Sequence, residues 1–164
     1  MWAGTYIRKL VHDWGFNLKV GAHMTQLVRT KAGPFRDDSW VTLHDLKDAY
    51  EVWKSDGNEK EIRKVIKNLE CGILHIPKIW VFDTTVDTLC HGASLSVPGI
   101  SKVHSGINPD DVVAVLTLKE ELVCLGKSLM FSEDIIKNER GLAVTTTKVF
   151  MDPNIYPKYV KDEQ

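Results

Sequence analysis

The sequence predicts an α+β fold, with helices in front and a small mainly β barrel or sandwich behind. Apolar residues recur at helical spacing in two early stretches, Ile7 to Leu18 and Leu43 to Trp53. Short β-branched runs then dominate, at Val112 to Leu118, Leu122 to Met130 and Gly141 to Met151, each bounded by turn residues. The texture changes near Pro77, which divides the chain into 1–75, 76–151 and a charged, proline-bearing tail, 152–164. With 164 residues, 43% of them hydrophobic, there is enough apolar material for a real core.

Gly4-Thr5-Tyr6-Ile7-Arg8 follows Met1-Trp2-Ala3 at once, with no capping residues ahead, which reads as a sequence joined midway. Ile7, Leu10, Val11, Trp14 and Leu18 form the stripe of an amphipathic helix, weakened near its end by Gly15. Gly21 resets the backbone, and Ala22 to Lys31 has the length and mixed polarity of a strand ending at Gly33-Pro34. Thr42 and Asp45 make a capping box for a second helix carrying Leu43, Leu46, Tyr50 and Trp53. After the turn cluster Ser55 to Asn58, the segment from Glu59 to Asn68 predicts a third, short helix. Lys78 to Phe82 reads as a strand, Thr85 to Gly92 as a short helix, Pro98-Gly99 as a turn, and Ser132 to Asn138 as a helical turn or two.

Charge and composition exclude several function classes. Lys and Arg total 21 against 22 Asp and Glu, a net charge of -1, so any nucleic-acid surface must be local. Cys71, Cys90 and Cys124 are widely spaced and read as reduced core thiols, which argues against a disulfide framework or a zinc site. The scattered histidines make no metal-binding spacing, so neither a metal nor a cofactor is expected. No apolar run reaches the roughly 20 residues that span a bilayer, and a cytoplasmic location is expected.

Two stretches carry a specific resemblance. Gly4 to Arg8, the amphipathic helix, and then Gly21-Ala22-His23-Met24-Thr25-Gln26-Leu27-Val28-Arg29 resemble the last block of the catalytic domain of the TruB and dyskerin group of pseudouridine synthases. Val86-Asp87, His91-Gly92-Ala93-Ser94-Leu95 and Pro98-Gly99-Ile100 are similar to the PUA domain, a small RNA-binding β-barrel, that follows it in that family. Ile76 to Val81 and Tyr156-Pro157-Lys158 resemble the archaeal, guide-RNA-dependent branch. The resemblance implies a remnant of the pseudouridine synthase catalytic domain followed by a small mainly β PUA barrel. Glu120 stands where the resemblance implies glycine, so a different hairpin turn is expected there; Tyr159 departs from the family's Trp or Arg.

The family's catalytic Asp lies in a Gly-x-Leu-Asp segment that this sequence lacks, so the chain alone is expected to be inactive. The resemblance makes Tyr6, Arg8 and Leu27 the opposite wall of the uridine pocket: Tyr6 packs on the base, Arg8 pairs with the Asp, Leu27 lines the site. A flipped base needs an apolar face, and a carboxylate needs a cation to stay ionised. Two residues apart on a helix diverge by roughly 200 degrees, so Tyr6 and Arg8 share a pocket only if Tyr6 precedes the first turn. His91, Gly92, Ala93, Ser94, Leu95, Pro98 and Gly99 form the expected RNA-binding rim, where small residues let a ribose-phosphate backbone approach closely. Arg29 and Lys31, with Arg36 close by, are candidate phosphate contacts, and Lys102, Lys127, Lys148 and Lys158 a second basic edge.

The expected partners are RNA (an H/ACA guide RNA, tRNA or rRNA), a separately encoded N-terminal catalytic fragment and the small H/ACA partner proteins. The competing reading is a stand-alone, non-enzymatic PUA module.

Overall fold

The computed structural model describes residues 4–157, which form two compact units divided between Trp40 and Val41. In the first, helix α1 spans Ile7–Asn17 and starts directly after Tyr6, whose backbone is extended (φ -89, ψ 105). Ile7 and Val11 of the predicted stripe are half-buried, whereas Leu10, Trp14 and Leu18 face solvent. Gly15 does more than weaken the helix. The Val20 and Gly21 amides donate to its carbonyl, and a Cβ there would sit 2.2 Å from the Ala22 nitrogen, so only glycine lets the chain fold back across α1.

The strand expected over Ala22 to Lys31 is corrected by the structure. Residues 22–30 have no ladder, and only β1, Lys31–Ala32, pairs with β2, Phe35–Arg36, as a short antiparallel hairpin. Strand character needs a partner to accept its hydrogen bonds, and this unit supplies one for two residues alone.

The second unit opens with α2, Leu43–Asp56, under the predicted capping box. The Thr42 amide donates to the Asp45 carboxylate at 2.7 Å and the Asp45 amide to the Thr42 hydroxyl at 3.1 Å; the Thr42 amide, and after it the Thr42 hydroxyl donating at 2.7 Å, hold the Asp45 carboxyl below its usual value. Gly57 ends the helix in the left-handed region (φ 66). The helix expected from Glu59 to Asn68 is shorter, a single turn, α3, Ile62–Val65. β-Branched Val65 and Ile66 sit at its end, Ile66 is already extended, and a 3-10 turn follows at Leu69–Ile73.

The barrel comprises β3 (Lys78–Val81), α4 (Asp83–Cys90), β4 (Leu95–Ser96), β5 (Ile100–Val103), β6 (Val112–Leu116), β7 (Leu122–Ser128), α5 (Ser132–Lys137) and β8 (Leu142–Val149). Strand order is β4-β8-β7-β6-β3-β5, antiparallel except for the parallel β3–β6 pair. The two outermost strands, β4 and β5, are consecutive in the chain and joined by the 3-10 turn Val97–Gly99, so the sheet curls into a nearly closed barrel. Ile79, Val81, Val86, Leu89, Leu95 and Val144 are fully buried at its centre. A smaller cluster on the outside joins Ile73 to Ala114, Leu116 and Leu122, and the Glu70 carboxylate accepts the Leu122 amide at 3.1 Å. Residues 69–73 therefore pack on the barrel, although the sequence groups them with the helical front.

Part of the presumed tail is also built in. Tyr156 is buried in the barrel core, and the Asn154 amide donates to the buried carboxylate of Asp87 at 3.0 Å. Residues 158–164, which include Lys158 and Tyr159, lie outside the described residues. Of the three cysteines only Cys124 is a core thiol, and burial pushes its pKa up to about 11. Cys71 and Cys90 are half-buried, and Cys71 donates to the Asn68 side chain at 2.7 Å.

The β6–β7 turn keeps the glycine-type shape despite its glutamate. Glu120 adopts φ 68; its amide donates to the Thr117 carbonyl, and the Thr117 amide to that of Glu121. The Thr117 hydroxyl accepts the Lys119 and Glu121 amides, so the turn is over-determined by hydrogen bonds that outweigh the Cβ penalty. Glu120→Gly should therefore stabilise the second unit by about 1 kcal/mol, read as a higher midpoint in urea; an unchanged or lower midpoint contradicts the strain.

Candidate nucleic-acid interface

In the first unit, Tyr6 lies before the first helical turn, which satisfies the condition for sharing a pocket with Arg8. Tyr6, Arg8 and Leu27 line one open cleft of about 640 Å³, with Ile7, Lys9, His12 and Met24 completing it. Tyr6 is 79% and Leu27 59% exposed, so an apolar wall faces an empty space beside a guanidinium. No carboxylate lines this cleft among the described residues. The arrangement can hold a planar base against apolar surface and offer a cation to an anion, and it contains no nucleophile of its own.

The hairpin carries the expected cations. Lys31 stands directly across from Arg36, and Arg29 precedes them on the extended segment. All three are exposed and make no ion pair among the described residues. Like charges opposite one another repel, and an anion lying between them relieves that repulsion.

In the second unit the predicted rim runs from the end of α4 through β4 to the 3-10 turn. The Gly92 amide donates to the Leu89 carbonyl at 2.8 Å, and its φ of 85 suits glycine; nothing lies within 4 Å of where a Cβ would be, so the backbone is open. The Ala93 carbonyl accepts the Thr146 hydroxyl at 2.7 Å, pinning the rim to β8. His91, Ser94 and Pro98 are exposed, and the His91 Nδ1 lies 2.8 Å from the Asp87 carbonyl. Leu95 is fully buried and offers only its backbone. Gly99 is required by packing, since a Cβ there would meet Thr85 at 2.8 Å.

Strand alternation puts Lys78 and Trp80 on the face opposite to buried Ile79 and Val81.

Comparison with known proteins assigns both parts of the chain. Residues 8–73 match the family described as the tRNA pseudouridylate synthase B C-terminal domain, and residues 77–150 match the PUA domain. The chain is 52% identical over 157 residues to a probable tRNA pseudouridine synthase B of Pyrococcus abyssi, covering 95% of this chain and 47% of that protein. Against the protein of the same description from Methanopyrus kandleri, identity is 51% over 156 residues, 95% of this chain and 46% of the relative. The chain belongs to the TruB/dyskerin family. It spans about half the length of the curated relatives that it matches, taking their C-terminal part.

Solved TruB/dyskerin-family structures superpose on it over nearly its whole length. A chain of the archaeal box H/ACA sRNP Nop10–Cbf5 complex gives a TM-score of 0.88 at 52% identity, covering 96% of this chain and 51% of that one. A chain of an H/ACA RNP bound to a substrate RNA containing 2'-deoxyuridine gives 0.88 at 51%, covering 95% and 50%. Because the family match continues through residues 8–73, the reading as a lone PUA module is not favoured. Among the described residues no helix is long and apolar enough to cross a membrane.

Proposed function

We propose that this chain is the RNA-binding portion of a cytoplasmic pseudouridine synthase that converts uridine to pseudouridine in tRNA or rRNA. Residues 1–75 serve as the C-terminal part of the synthase domain, 76–151 as the PUA domain and 152–164 as its tail. The observation that carries the reading is the rim. An open glycine backbone at Gly92, its amide held by the Leu89 carbonyl and the next residue, Ala93, held by the Thr146 hydroxyl, is the surface that a folded RNA backbone can meet at close range. The cleft supports it: Tyr6 and Leu27 face a flipped uracil, and Arg8 pairs with a carboxylate supplied by the N-terminal catalytic piece. The RNA is an H/ACA guide, tRNA or rRNA, and the small H/ACA proteins are the further partners.

Titration of the full chain with stem-ended transcripts at low ionic strength should shift the amide resonances of Gly92, Ala93 and Gly99. Signals that stay put at saturating RNA refute the reading. Adding an Asp-bearing N-terminal half and a guide RNA should yield pseudouridine, and Arg8→Ala should lower that yield without weakening the chain's binding to stems. For the hairpin, Lys31→Glu with Arg36→Glu should cost about tenfold in RNA affinity and reduce the salt slope by roughly 2. An unchanged slope means that neither side chain meets a phosphate.

A further inference from the structure

The backbone donors at the start of the rim are already spent. The His91 amide donates to the Asp87 carbonyl at 3.3 Å, the Gly92 amide to that of Leu89 at 2.8 Å and the Ala93 amide to that of Thr88 at 3.4 Å, three bonds that close the end of α4. Phosphate oxygens only accept, so this stretch of main chain has no N–H to offer them. The Ala93 carbonyl is taken too, by the Thr146 hydroxyl at 2.7 Å. What the turn leaves open is the side chain of His91.

The structure fixes which nitrogen of that ring carries the proton. Nδ1 lies 2.8 Å from the Asp87 backbone carbonyl and 3.7 Å from the Asp87 carboxylate, and both groups only accept. A neutral imidazole in this place therefore holds its one proton on Nδ1 and presents a bare lone pair at Nε2. The carboxylate that reinforces this choice is anchored: its side chain is 8% exposed, and it accepts the Asn154 amide at 3.0 Å. Nε2 makes no hydrogen bond among the described residues, and the ring's side chain is 56% exposed. Gly92 follows it with nothing within 4 Å of where a Cβ would stand, so no side chain there keeps a ligand away from the ring.

An uncharged acceptor selects a donor. Paired RNA presents few of them, because its bases spend their Watson–Crick N–H groups on each other. The wide, shallow minor groove displays ribose 2'-hydroxyls, which DNA lacks, beside the amine of guanine. We infer that His91 is the residue by which the rim tells RNA from DNA, its Nε2 accepting a hydrogen bond from a 2'-hydroxyl of a paired stem. This rests on the RNA-binding reading of the rim and adds the polarity of the contact: at His91 the rim takes a hydroxyl proton, not a phosphate oxygen.

The test is a thermodynamic cycle on the full chain with stem-ended transcripts, in which one ribose at a time carries 2'-fluoro, a group that keeps the A-form sugar but has no proton to donate. At one position the substitution should weaken binding about fivefold, the worth of one neutral hydrogen bond. His91→Phe should bind the unmodified stem about as weakly and be indifferent to fluorine at that position. Long-range nitrogen NMR spectra of the free chain should show the His91 ring protonated at Nδ1 and bare at Nε2. A ring protonated at Nε2, the lack of any sensitive ribose, losses that multiply when the two changes are combined, or sensitivity to inosine in place of guanine instead of to fluorine overturns the inference. The spectrum needs no variant, so it decides even where His91→Phe misfolds. Failure of the rim reading is separately visible, because then the unmodified stem leaves the Gly92 and Ala93 amides unmoved.

Discussion

Replacing Leu89 by alanine should destabilise residues 41–157 by about 2–5 kcal/mol. Leu89 is fully buried on α4, packed in the core with Val86, Leu95 and Val144. Truncation removes its transfer free energy and leaves a void, because strands on both sides of the barrel cannot close over it. The same residue's carbonyl holds the Gly92 amide, so the rim rests on this part of the core. Near-ultraviolet circular dichroism in urea measures the effect on the barrel, apart from the first unit, whose transition need not coincide. RNA binding should fall only in proportion to the unfolded fraction. A loss under 1 kcal/mol would mean that the core around α4 is far looser than the structure shows.

Replacing Tyr156 by alanine should cost about 3 kcal/mol, close to the value for a core aromatic. The residue is 8% exposed, and its hydroxyl donates to the Glu121 carboxylate, which also accepts the Thr117 hydroxyl at 3.2 Å. The Lys119 ammonium lies 5.3 Å from the ring centroid. The bond from Tyr156 is the main reason that the Glu121 carboxyl sits below its usual value; desolvation, the next effect in size, opposes it, and Thr117 and then Lys119 lower the value further by less. A folded-state value below the unfolded one adds stability that is complete above the ordinary carboxylate range and disappears as pH falls through the folded value. Tyr156→Phe should be milder than Tyr156→Ala at neutral pH, and it should flatten the loss of stability on acidification. Urea midpoints at neutral and acidic pH check this; identical acid sensitivity in wild type and Tyr156→Phe rules out the Glu121 contact as its source.

Most elements were legible because they depend on near neighbours. The Thr42–Asp45 box needs residues three apart, and a shorter carboxylate proved sufficient. The runs at Val112, Leu122 and Leu142 announced strands through β-branched content, and the core of Val113, Val115, Val123 and Val144 follows from them. The candidate rim was readable from its small residues, but Leu95 and Gly99 there answer to packing, which composition does not distinguish from contact. Ala22 to Lys31 misled, since strand propensity is realised only where a partner lies alongside.

Periodicity, capping and turn chemistry, all read within a few residues, account for the α+β class, the order of elements and the family resemblance. Other features belong to pairings between residues far apart in the chain. The parallel β3–β6 contact and the short Val97–Gly99 turn between the two end strands, β4 and β5, curl the sheet into a nearly closed barrel; Asn154 and Tyr156 are drawn into it; Tyr6, Arg8 and Leu27 converge on one cleft. Register across several strands puts Lys78, Lys102, Lys127 and Lys148 on the outer side of the sheet. A shift of one residue would reverse which side each occupies, and only the packed sheet, with the main core on one face and the smaller Ile73 cluster on the other, selects among the registers.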